Sequence, residues 1–431
     1  MNDIQIHPAP QLRGEIHVPG DKSISHRGIM FGAIAEGITE LDGFLDGADC
    51  RSTIACFRRL GITIEQDGSH ILIHGRGLHG LSAPNEPVAA PLDVGNSGTT
   101  MRLISGILAA QPFSSMLTGD ASIRKRPMRR ITEPLTAMGA DIRSEADNGC
   151  APLLIHGRPL HGITYHTPVA SAQVKSCILL AGLYADDETC VIEPALSRNH
   201  SELMLDAFGA QIRTEDTKIT IQPNPVLHGQ HIQIPGDISS AAYFLAAGVV
   251  VPNSELLLKH VNTNATRAGI LLILQAMGAD LTLENEKTVS GETVADILVR
   301  SSALHGTVVE GEIIPTLIDE LPVIAVLAAC AVGTTIIRDA AELRVKESDR
   351  IALMTDNLSR MGCDITPTED GMVIHGGRPL QGAHIHTAGD HRVAMSFAIA
   401  GLVADGVTTF DDAACVDVSY PGFFSELERL R

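Results

Sequence analysis

Ala242-Tyr-Phe-Leu-Ala-Ala-Gly-Val-Val-Val251 is an apolar run of small and branched residues, closed by a polar break and followed by a strand-like segment at 254–261. Runs of this kind recur at intervals of roughly 70 residues, each with the same polar break and strand-like segment. The full set is 28–37, 102–111, 177–186, 242–251, 323–333 and 394–406. Segments that are apolar on nearly all sides are typical of helices inside a domain. The sequence therefore predicts six repeated units with helices inside and sheets outside.

A second pattern supports the repeat, because an amphipathic segment ends in Gly and a strand-like segment begins directly after it. Glycine suits the left-handed residue just past a helix end. The copies are Leu60-Gly61-Ile62, Met138-Gly139-Ala140, Phe208-Gly209-Ala210, Met277-Gly278-Ala279 and Met361-Gly362-Cys363, and a sixth helix is predicted from Gly422. A single solenoid is the alternative, but its repeats usually span about 20–50 residues. We predict two lobes of three units each.

The tripeptide Pro-Gly-Asp marks two places where the chain is expected to change lobe. It occurs at 19–21 and 235–237, each time between an alternating strand and a predicted helix. With crossing segments near 19–22 and 235–238, one lobe comprises 1–20 plus 237–431 and the other 21–236. A ligand is expected in the cleft between them, closing on binding.

Composition narrows the function classes. The 431 residues are 44% hydrophobic and carry a net charge of −19, with no long basic run, which argues against nucleic-acid binding. Eight cysteines without a Cys-x-x-Cys pair indicate reduced thiols. The N-terminus lacks a signal-peptide pattern, and the apolar runs are short and broken by Gly, so we expect a cytoplasmic protein without membrane contact.

Two glycine-containing turns open predicted helices. Pro19-Gly-Asp-Lys-Ser-Ile-Ser-His-Arg27 places a lysine and hydroxyls at a helix N-terminus, which is suited to anions. Gly95-Asn-Ser-Gly-Thr-Thr-Met-Arg102 lets the backbone approach a ligand and adds donors. Ordinary helix capping explains either turn equally well when it is taken alone.

Further charged motifs allow either a purely structural or a functional interpretation. Gly119-Asp-Ala-Ser-Ile-Arg-Lys-Arg-Pro-Met128 is a basic loop in an acidic chain, for which solvated surface charge is the simpler explanation. Arg344-Val-Lys-Glu-Ser-Asp-Arg350 places Lys346 and Arg350 on one face if it is helical, and an exposed salt-bridged helix is the alternative. Asp319 is either a helix N-cap or a base.

Position links these motifs, because each lies at the start of a repeated apolar helix. The residues are Lys22, Arg102, Gln173, Asp319 and Arg392, the last within Gly389-Asp-His-Arg392. Converging helix N-termini produce a positive field without net positive charge, which suits phosphorylated or carboxylated substrates. The chain contains no Walker motif, Gly-x-Ser-x-Gly or His-Glu-x-x-His. His384, His386 and His391 cluster in sequence, but we predict no metal site.

At these residues, from 19 to 421, the chain resembles the EPSP synthase family of enolpyruvyl transferases. The resemblance implies an α/β fold in which each of two lobes is an inside-out α/β barrel (α/β prism) of three βαβαββ units. It also implies binding of shikimate 3-phosphate by Lys22, Ser23, Arg27, Ser171, Gln173, Arg198, Asp319 and Lys346. Phosphoenolpyruvate is implied to meet Lys22, Gly98, Arg126, Gln173, Arg350 and Arg392.

The family's chemistry implies addition of the 5-hydroxyl to phosphoenolpyruvate, followed by elimination of phosphate from a tetrahedral intermediate, in the shikimate pathway that glyphosate targets. On this basis Asp319 is expected to be the base, Glu347 the group that exchanges a proton with the methylene carbon, and Lys22 an assisting cation. No cofactor is implied. We expect a monomer whose partners are these two small anions.

Two departures from the family pattern affect expected contacts. Val418 stands where many members carry a Lys, so one cationic contact to phosphoenolpyruvate is expected to be absent. Ala172 stands where many have a second Ser, so a hydrogen bond to the substrate phosphate is either missing or made by Arg198 or Lys175. Related enolpyruvyl transferases that act on UDP-N-acetylglucosamine usually carry a reactive Cys before Arg-Pro. The loop here has none before Arg126, which disfavours that rival, as Glu347 disfavours a non-catalytic anion-binding scaffold.

Overall fold

The computed structural model describes residues 4–84 and 90–431, which form two compact units. The N/C unit consists of Met1–Pro19, Pro235–Thr288 and Thr293–Arg431. The middle unit consists of Gly20–Ile234 together with the short segment Val289–Glu292. Each unit has its own apolar core.

The repeated apolar runs are six buried helices, as predicted. They are Lys22–Ile34, Gly98–Leu108 and Ala172–Gly182 in the middle unit, and Ile238–Val250, Leu321–Cys330 and His391–Gly401 in the N/C unit. Small residues allow these helices to pack closely. A Cβ on Gly106 would lie 2.2 Å from the carbonyl oxygen of Cys177, so only glycine fits this helix contact.

Each sheet of the middle unit has four strands in the same arrangement: a parallel edge strand, the strand after the central helix, and an antiparallel hairpin. The orders are His231–Gln233, Glu36–Asp42, His70–Arg76, Thr63–Asp67; Leu92–Asp93, Ser114–Thr118, Leu153–His156, Asp141–Ser144; and Thr164–His166, Thr189–Ile192, Lys218–Ile221, Ile212–Glu215. The strand at the end of the unit thus completes the sheet at its beginning.

The N/C unit repeats this arrangement in two four-stranded sheets, and its third sheet has three strands. Strands of the N-terminal segment complete the first and the third of these sheets. The orders are Arg13–Ile16, Glu255–Asn262, Glu292–Arg300, Asp280–Val289; Val308–Val309, Gly333–Ile337, Met372–Gly376, Asp364–Pro367; and His384–Ile385, Thr408–Phe410, Gln5–Ile6. Arg13–Ile16 pairs in parallel with Glu255–Leu258, and Gln5–Ile6 lies antiparallel to Thr408–Thr409.

A second set of helices ends at the predicted glycines. These helices are Ala48–Arg59, Arg129–Ala137, His200–Phe208, Gly269–Ala276 and Arg350–Arg360, and Phe423–Arg429 is the sixth. The glycine after each of the first five has φ between 86° and 103°, the left-handed conformation that L side chains rarely adopt. In the part of the chain that the structure describes, the remaining helical elements are a short helix, Ile314–Leu317, and four 3-10 turns, Ile123–Lys125, Gly311–Ile313, Ala341–Val345 and Ala414–Val418.

The predicted inside-out α/β architecture is confirmed within each unit, because the central helices are buried and the sheets expose one face. In residues 4–84 and 90–431 no single helix is long and apolar enough to cross a membrane. The bent pair Gly311–Leu317 and Leu321–Cys330 passes that test by length and composition only.

Candidate active site

Lys22 begins the first central helix of the middle unit and is held by a carboxylate that the sequence did not point to. Its Nζ lies 2.6 Å from Oδ2 of Asp49, in the first turn of helix Ala48–Arg59. The lysine side chain is 21% exposed, so it is not fully enclosed by the protein. Asp21 caps the helix by accepting from the N–H of Ile24 at 2.9 Å. The capping interpretation is therefore correct, and it leaves Lys22 available for a ligand.

Arg27, one turn further along, is buried rather than open to solvent. Its Nε donates to Ser201 Oγ at 2.7 Å, one Nη donates to Ser176 Oγ at 2.9 Å, and the other donates to the carbonyl of Ser23 at 3.0 Å. Burial lowers the pKa of Arg27 to about 10, although Glu202 opposes this. The guanidinium thus ties three segments together, and its contact with a substrate stays a prediction.

The turn at Gly95–Arg102 is capped and also carries donors. Ser97 Oγ accepts from the N–H of Thr100 at 3.1 Å, which begins helix Gly98–Leu108. Arg102 Nη1 donates to Gln173 Oε1 at 3.0 Å, and Gln173 Nε2 donates to Thr99 Oγ1 at 3.1 Å. These bonds connect the N-termini of two central helices. The predicted convergence of helix N-termini therefore holds within this unit for Gly98–Leu108 and Ala172–Gly182.

The basic loop divides into two kinds of residue. Arg124 and Lys125 are exposed, as the surface-charge interpretation predicts. Arg126 instead turns inward, where it donates to Ser122 Oγ at 3.1 Å and to the side chain of Asn96. A Cβ on Gly98 would lie 2.7 Å from Arg102 Nη1 and 3.3 Å from Arg126 Nη1. Two guanidinium groups therefore flank Gly98, an arrangement suited to an anion.

Ser171 caps helix Ala172–Gly182, and its N–H donates to Glu193 at 3.1 Å. A contact of Lys175 with the substrate phosphate, in place of a hydroxyl at 172, stays a prediction, and the structure shows other partners for this lysine. Lys175 is fully buried, and its Nζ lies 2.8 Å from Glu193 and 2.6 Å from Glu202. Arg198 is half-buried and remains the alternative to Lys175.

In the N/C unit, three cationic groups surround Asp319. Its carboxylate oxygens lie 3.4 Å from Lys346 Nζ, 3.7 Å from Arg350 Nη1 and 3.9 Å from Arg392 Nη2. The N-cap interpretation of Asp319 is wrong, because Glu320 occupies the N-cap of helix Leu321–Cys330 and makes no side-chain capping bond. The Asp319 side chain is 14% exposed, and its carboxylate faces these three cations.

Lys346 and Glu347 do not lie on a helix, so the predicted shared helix face of Lys346 and Arg350 is wrong. Residues 346–349 are irregular, and the helix begins at Arg350. The reason is Asp349, whose carboxylate accepts from the N–H of Ala352 at 3.0 Å and so starts the helix there. The irregular segment nevertheless brings Lys346 to Asp319.

Arg350 lies at the centre of an ionic network, and the exposed-helix interpretation fails because its side chain is 1% exposed. Its Nε lies 2.8 Å from Asp390 and its Nη2 lies 2.6 Å from Glu347. Burial disfavours the charge on Arg350, but Asp390 and Glu347 outweigh it and raise the pKa. Asp390 also accepts from Ser348 Oγ at 2.7 Å and caps the helix that begins at His391.

Arg392, on helix His391–Gly401, points at the carboxylates of Asp319 and Glu320. Its Nη1 donates to the Asp319 carbonyl at 3.3 Å and lies 3.9 Å from Glu320. Burial disfavours its charge, but the surrounding acidic groups, Asp319 first among them, together outweigh burial and raise the pKa of Arg392. Glu320 is fixed in turn by Arg267, whose Nη1 lies 3.0 Å from one of its oxygens. No local pattern marked Glu320, Arg267 or Asp49, since each pairs with a charged group of a distant segment. Asp390 lies within the motif Gly389-Asp-His-Arg392, but its pairing with Arg350 was not predicted.

The histidines near the C-terminal end are engaged elsewhere. His384 Nδ1 bonds Thr409 at 3.0 Å, and His386 bonds Asp411. Among residues 4–84 and 90–431, the one group of three potential metal ligands is Glu40, Asp42 and His70 on an outer sheet. Position 418 ends a 3-10 turn as valine and supplies no cation.

Comparison with known proteins shows to which family the chain belongs. The family model described as EPSP synthase (3-phosphoshikimate 1-carboxyvinyltransferase) matches residues 6–427. Proteins named 3-phosphoshikimate 1-carboxyvinyltransferase from Brevibacillus brevis and Geobacter sulfurreducens are each 53% identical, over 99% and 100% of this chain and 99% of their own length.

Solved structures give the same result. EPSP synthase from Acinetobacter baumannii matches with a TM-score of 0.88 and 48% identity, covering 99% of this chain and 97% of that one. The enolpyruvyl transferase NikO from Streptomyces tendae has a TM-score of 0.80 at 17% identity, covering 99% of this chain and 96% of its own, and shares the fold. The chain belongs to the EPSP synthase family of 3-phosphoshikimate 1-carboxyvinyltransferases.

Proposed function

We propose that this chain transfers the enolpyruvyl group of phosphoenolpyruvate to the 5-hydroxyl of shikimate 3-phosphate and releases phosphate. The observation that carries the proposal is the group formed by Lys346, Arg350 and Arg392 around Asp319, in a chain 53% identical to proteins named for this reaction. A carboxylate placed among cations can accept a proton while the cations hold anionic substrates.

Substrate binding is assigned to both units. We assign phosphoenolpyruvate to Lys22, Gly98, Arg126, Gln173, Arg350 and Arg392. We assign shikimate 3-phosphate to Lys22, Ser23, Arg27, Ser171, Gln173, Arg198, Asp319 and Lys346. The support is chemical: guanidinium pairs and helix N-termini match carboxylate and phosphate groups, and buried carboxylates fix the cations in position.

In the addition step, the oxygen of the 5-hydroxyl forms a bond to C2 of phosphoenolpyruvate, and its proton passes to Asp319. The C2–C3 double bond takes a proton at C3 from Glu347, which gives a methyl group and a tetrahedral centre. In the elimination step, the bond from C2 to the phosphate oxygen breaks, and the departing phosphate takes up the proton that Asp319 accepted. Glu347 removes a proton from the methyl group, and the double bond re-forms. Lys22 stabilises the charge on the departing phosphate.

The placement of Glu347 supports this assignment. Its side chain is 29% exposed, and its carboxylate is held by Arg350 at 2.6 Å. An exposed fraction of this size leaves the carboxylate accessible to a ligand, while the arginine restricts its orientation. We propose that no metal or organic cofactor takes part in the reaction.

Location and assembly belong to the same proposal. We expect a cytoplasmic monomer, and the buried thiols support a reducing compartment. Light scattering of the purified protein tests the monomer: a mass near 45.7 kDa is expected, and twice that mass would contradict it.

The decisive assay measures phosphate release from the purified protein with phosphoenolpyruvate and one acceptor at a time. Release is expected with shikimate 3-phosphate and not with UDP-N-acetylglucosamine. Equal release with both acceptors, or none with either, would overturn the proposal. A reaction without acceptor controls for hydrolysis of phosphoenolpyruvate.

A further inference from the structure

Four buried polar side chains form a continuous hydrogen-bonded chain beneath the N-termini of the middle unit. The first bond joins His26 Nδ1 to Thr53 Oγ1, and the second joins Thr53 Oγ1 to Thr100 Oγ1. The third joins Thr100 Oγ1 to Ser97 Oγ, and each of the three distances is 2.7 Å. All four residues are buried. The chain therefore crosses three helices with polar groups that solvent does not reach.

The direction of these hydrogen bonds follows from counting hydrogens. The Thr100 hydroxyl donates its single hydrogen to Ser97, so Thr53 must be the donor in the bond between the two threonines. The carbonyl of Asp49, at 3.4 Å, is a weaker competitor for that hydrogen. Thr53 then has no hydrogen left, so Nδ1 of His26 must donate to it.

A neutral histidine carries one N–H, so this direction leaves Nε2 of His26 as a bare acceptor. Nε2 is buried and has no hydrogen-bond partner in the described residues, in agreement with a bare nitrogen within the packed interior. Burial lowers the pKa of His26 to about 3, Asp49 opposes this, and Lys22 and Arg27 lower the pKa further. The ring therefore stays neutral across the physiological range.

The chain connects the two anion-binding elements of the unit. Thr53 lies one turn after Asp49, which holds Lys22, and His26 lies one turn after Lys22. Helix Ala48–Arg59 is thus joined to helix Lys22–Ile34 at two successive levels. At its other end the chain reaches Ser97, which caps the helix that begins at Gly98.

We propose that His26, Thr53 and Thr100 are positioning residues that fix Lys22 and the turn at Ser97–Gly98 relative to one another, and so determine the affinity for phosphoenolpyruvate. This inference rests on the proposed function for its kinetic consequence. The chain itself, with histidine protonated on Nδ1, is a separate structural statement. Each part can therefore be tested without the other.

The kinetic test uses Thr53→Val, which keeps the side-chain shape and removes the hydroxyl. The KM for phosphoenolpyruvate is expected to rise about three- to tenfold, the effect of losing one hydrogen bond, with kcat within about twofold. Thr189→Val is the matched control, because Thr189 is equally buried and its hydroxyl has no partner in the described residues. A folded Thr53→Val protein with unchanged KM would overturn the positioning role.

The structural test needs neither turnover nor a variant of Thr53. Nitrogen-15 NMR of histidine-labelled protein, assigned by difference from His26→Asn, is expected to show His26 protonated on Nδ1 and unchanged between pH 5 and 8. An Nε2-protonated ring, or a titration in that range, would overturn the chain. If phosphate release fails in the wild-type protein while this spectrum is observed, the proposed function fails and the hydrogen-bonded chain stands.

Discussion

The Nε atom of Arg350 lies 2.8 Å from Oδ2 of Asp390, and both side chains are buried. The same carboxylate accepts from Ser348 and caps the helix that carries Arg392. One side chain thus holds the irregular segment before Arg350 and the starts of two helices. Removal of the Asp390 carboxylate is therefore expected to displace several proposed substrate-binding residues at once.

Asp390→Asn leaves a buried guanidinium with less compensating charge. We expect the free energy of unfolding to fall by about 3 kcal/mol, the usual effect of breaking a buried ion pair, and the KM for phosphoenolpyruvate to rise. Urea unfolding and initial rates measure the two effects. Asp356→Asn is the control, because its ion pair with Arg360 is half-exposed and is expected to contribute less than about 1 kcal/mol. Equal losses in both variants would contradict this account.

The same pair predicts a pH dependence of stability. Burial alone would raise the pKa of Asp390, but the charge and hydrogen bond of Arg350, together with His391, outweigh burial and lower the pKa. A carboxyl whose pKa is lower when folded stabilises the protein above its unfolded pKa and loses that effect as pH falls through the folded value. The stability difference between wild type and Asp390→Asn should therefore be constant from pH 8 to 5 and narrow below about pH 4. Urea unfolding over that range measures it, and a difference that widens in acid would refute the sign.

Glu347→Gln tests the proton exchange at C3. The amide keeps the size of the side chain but cannot donate and accept a proton, so kcat should fall by about 10²- to 10⁴-fold. Calorimetric titration should still show binding of both substrates. Glu369→Gln, at an exposed position, is the matched control and should retain full activity. A Glu347→Gln enzyme of near-normal kcat would exclude the assigned role.

Gly98→Ala tests the space between the two guanidinium groups. The added methyl would lie 2.7 Å from Arg102 Nη1, so Arg102 must move and its bond to Gln173 is expected to break. We expect a several-fold rise in the KM for phosphoenolpyruvate, measured by initial rates. Gly68→Ala has free space around the new methyl and should change stability without changing that KM. The same KM rise in both variants would point to a general loss of folded enzyme.

Gly362→Ala and Gly106→Ala separate backbone strain from steric overlap. At Gly362, φ is 86° and no atom lies within 4 Å of the new methyl, so a loss of about 1–2 kcal/mol is expected from conformation alone. At Gly106 the methyl meets the Cys177 carbonyl, and a larger loss is expected. Thermal unfolding ranks the two variants. Gly362→Asn should recover part of the loss, and the reverse ranking would contradict the packing described above.

Thiol reactivity checks the buried cysteines. Burial raises the pKa of Cys56 and of Cys177 to about 12, so neither forms thiolate readily at pH 8. Cys150 is only half-buried. In the native protein we expect rapid reaction with Ellman's reagent at Cys150 and slow reaction at Cys56 and Cys177. Cys150→Ser should abolish the rapid phase of the reaction with Ellman's reagent, whereas Cys56→Ser should leave that phase unchanged. Rapid labelling of Cys56 would contradict the packing.

The sequence predicted the helices, the strands and the glycines at the helix ends because these features depend on local periodicity. Apolar composition on all sides predicts burial, and a glycine between two periodic segments predicts a left-handed residue, as at Gly362. Neither inference requires knowledge of distant contacts. The same reasoning predicted the wrong helix at Lys346, where the cap formed by Asp349 starts the helix later.

The supporting carboxylates could not be predicted for a different physical reason. Asp49 and Glu320 act on cations from other segments, and a single sequence does not reveal which segments meet. Charged residues that hold other charged residues carry no local signature. Lys22 and Arg392 were found because they lie at helix starts, whereas their carboxylate partners required the structure.

The strand order of the N/C unit has a consequence for how the chain is made. Arg13–Ile16 has no partner until Glu255–Leu258 has been synthesised, and Gln5–Ile6 has none until Thr408–Thr409 appears. The strands of the middle unit are synthesised in the interval. That unit can therefore fold first, while Gln5–Ile6 and Arg13–Ile16 still lack their strand partners. Cotranslational folding is therefore expected to begin in the interior of the sequence. Gln5–Ile6 can pair only after Thr408–Thr409 has left the ribosome.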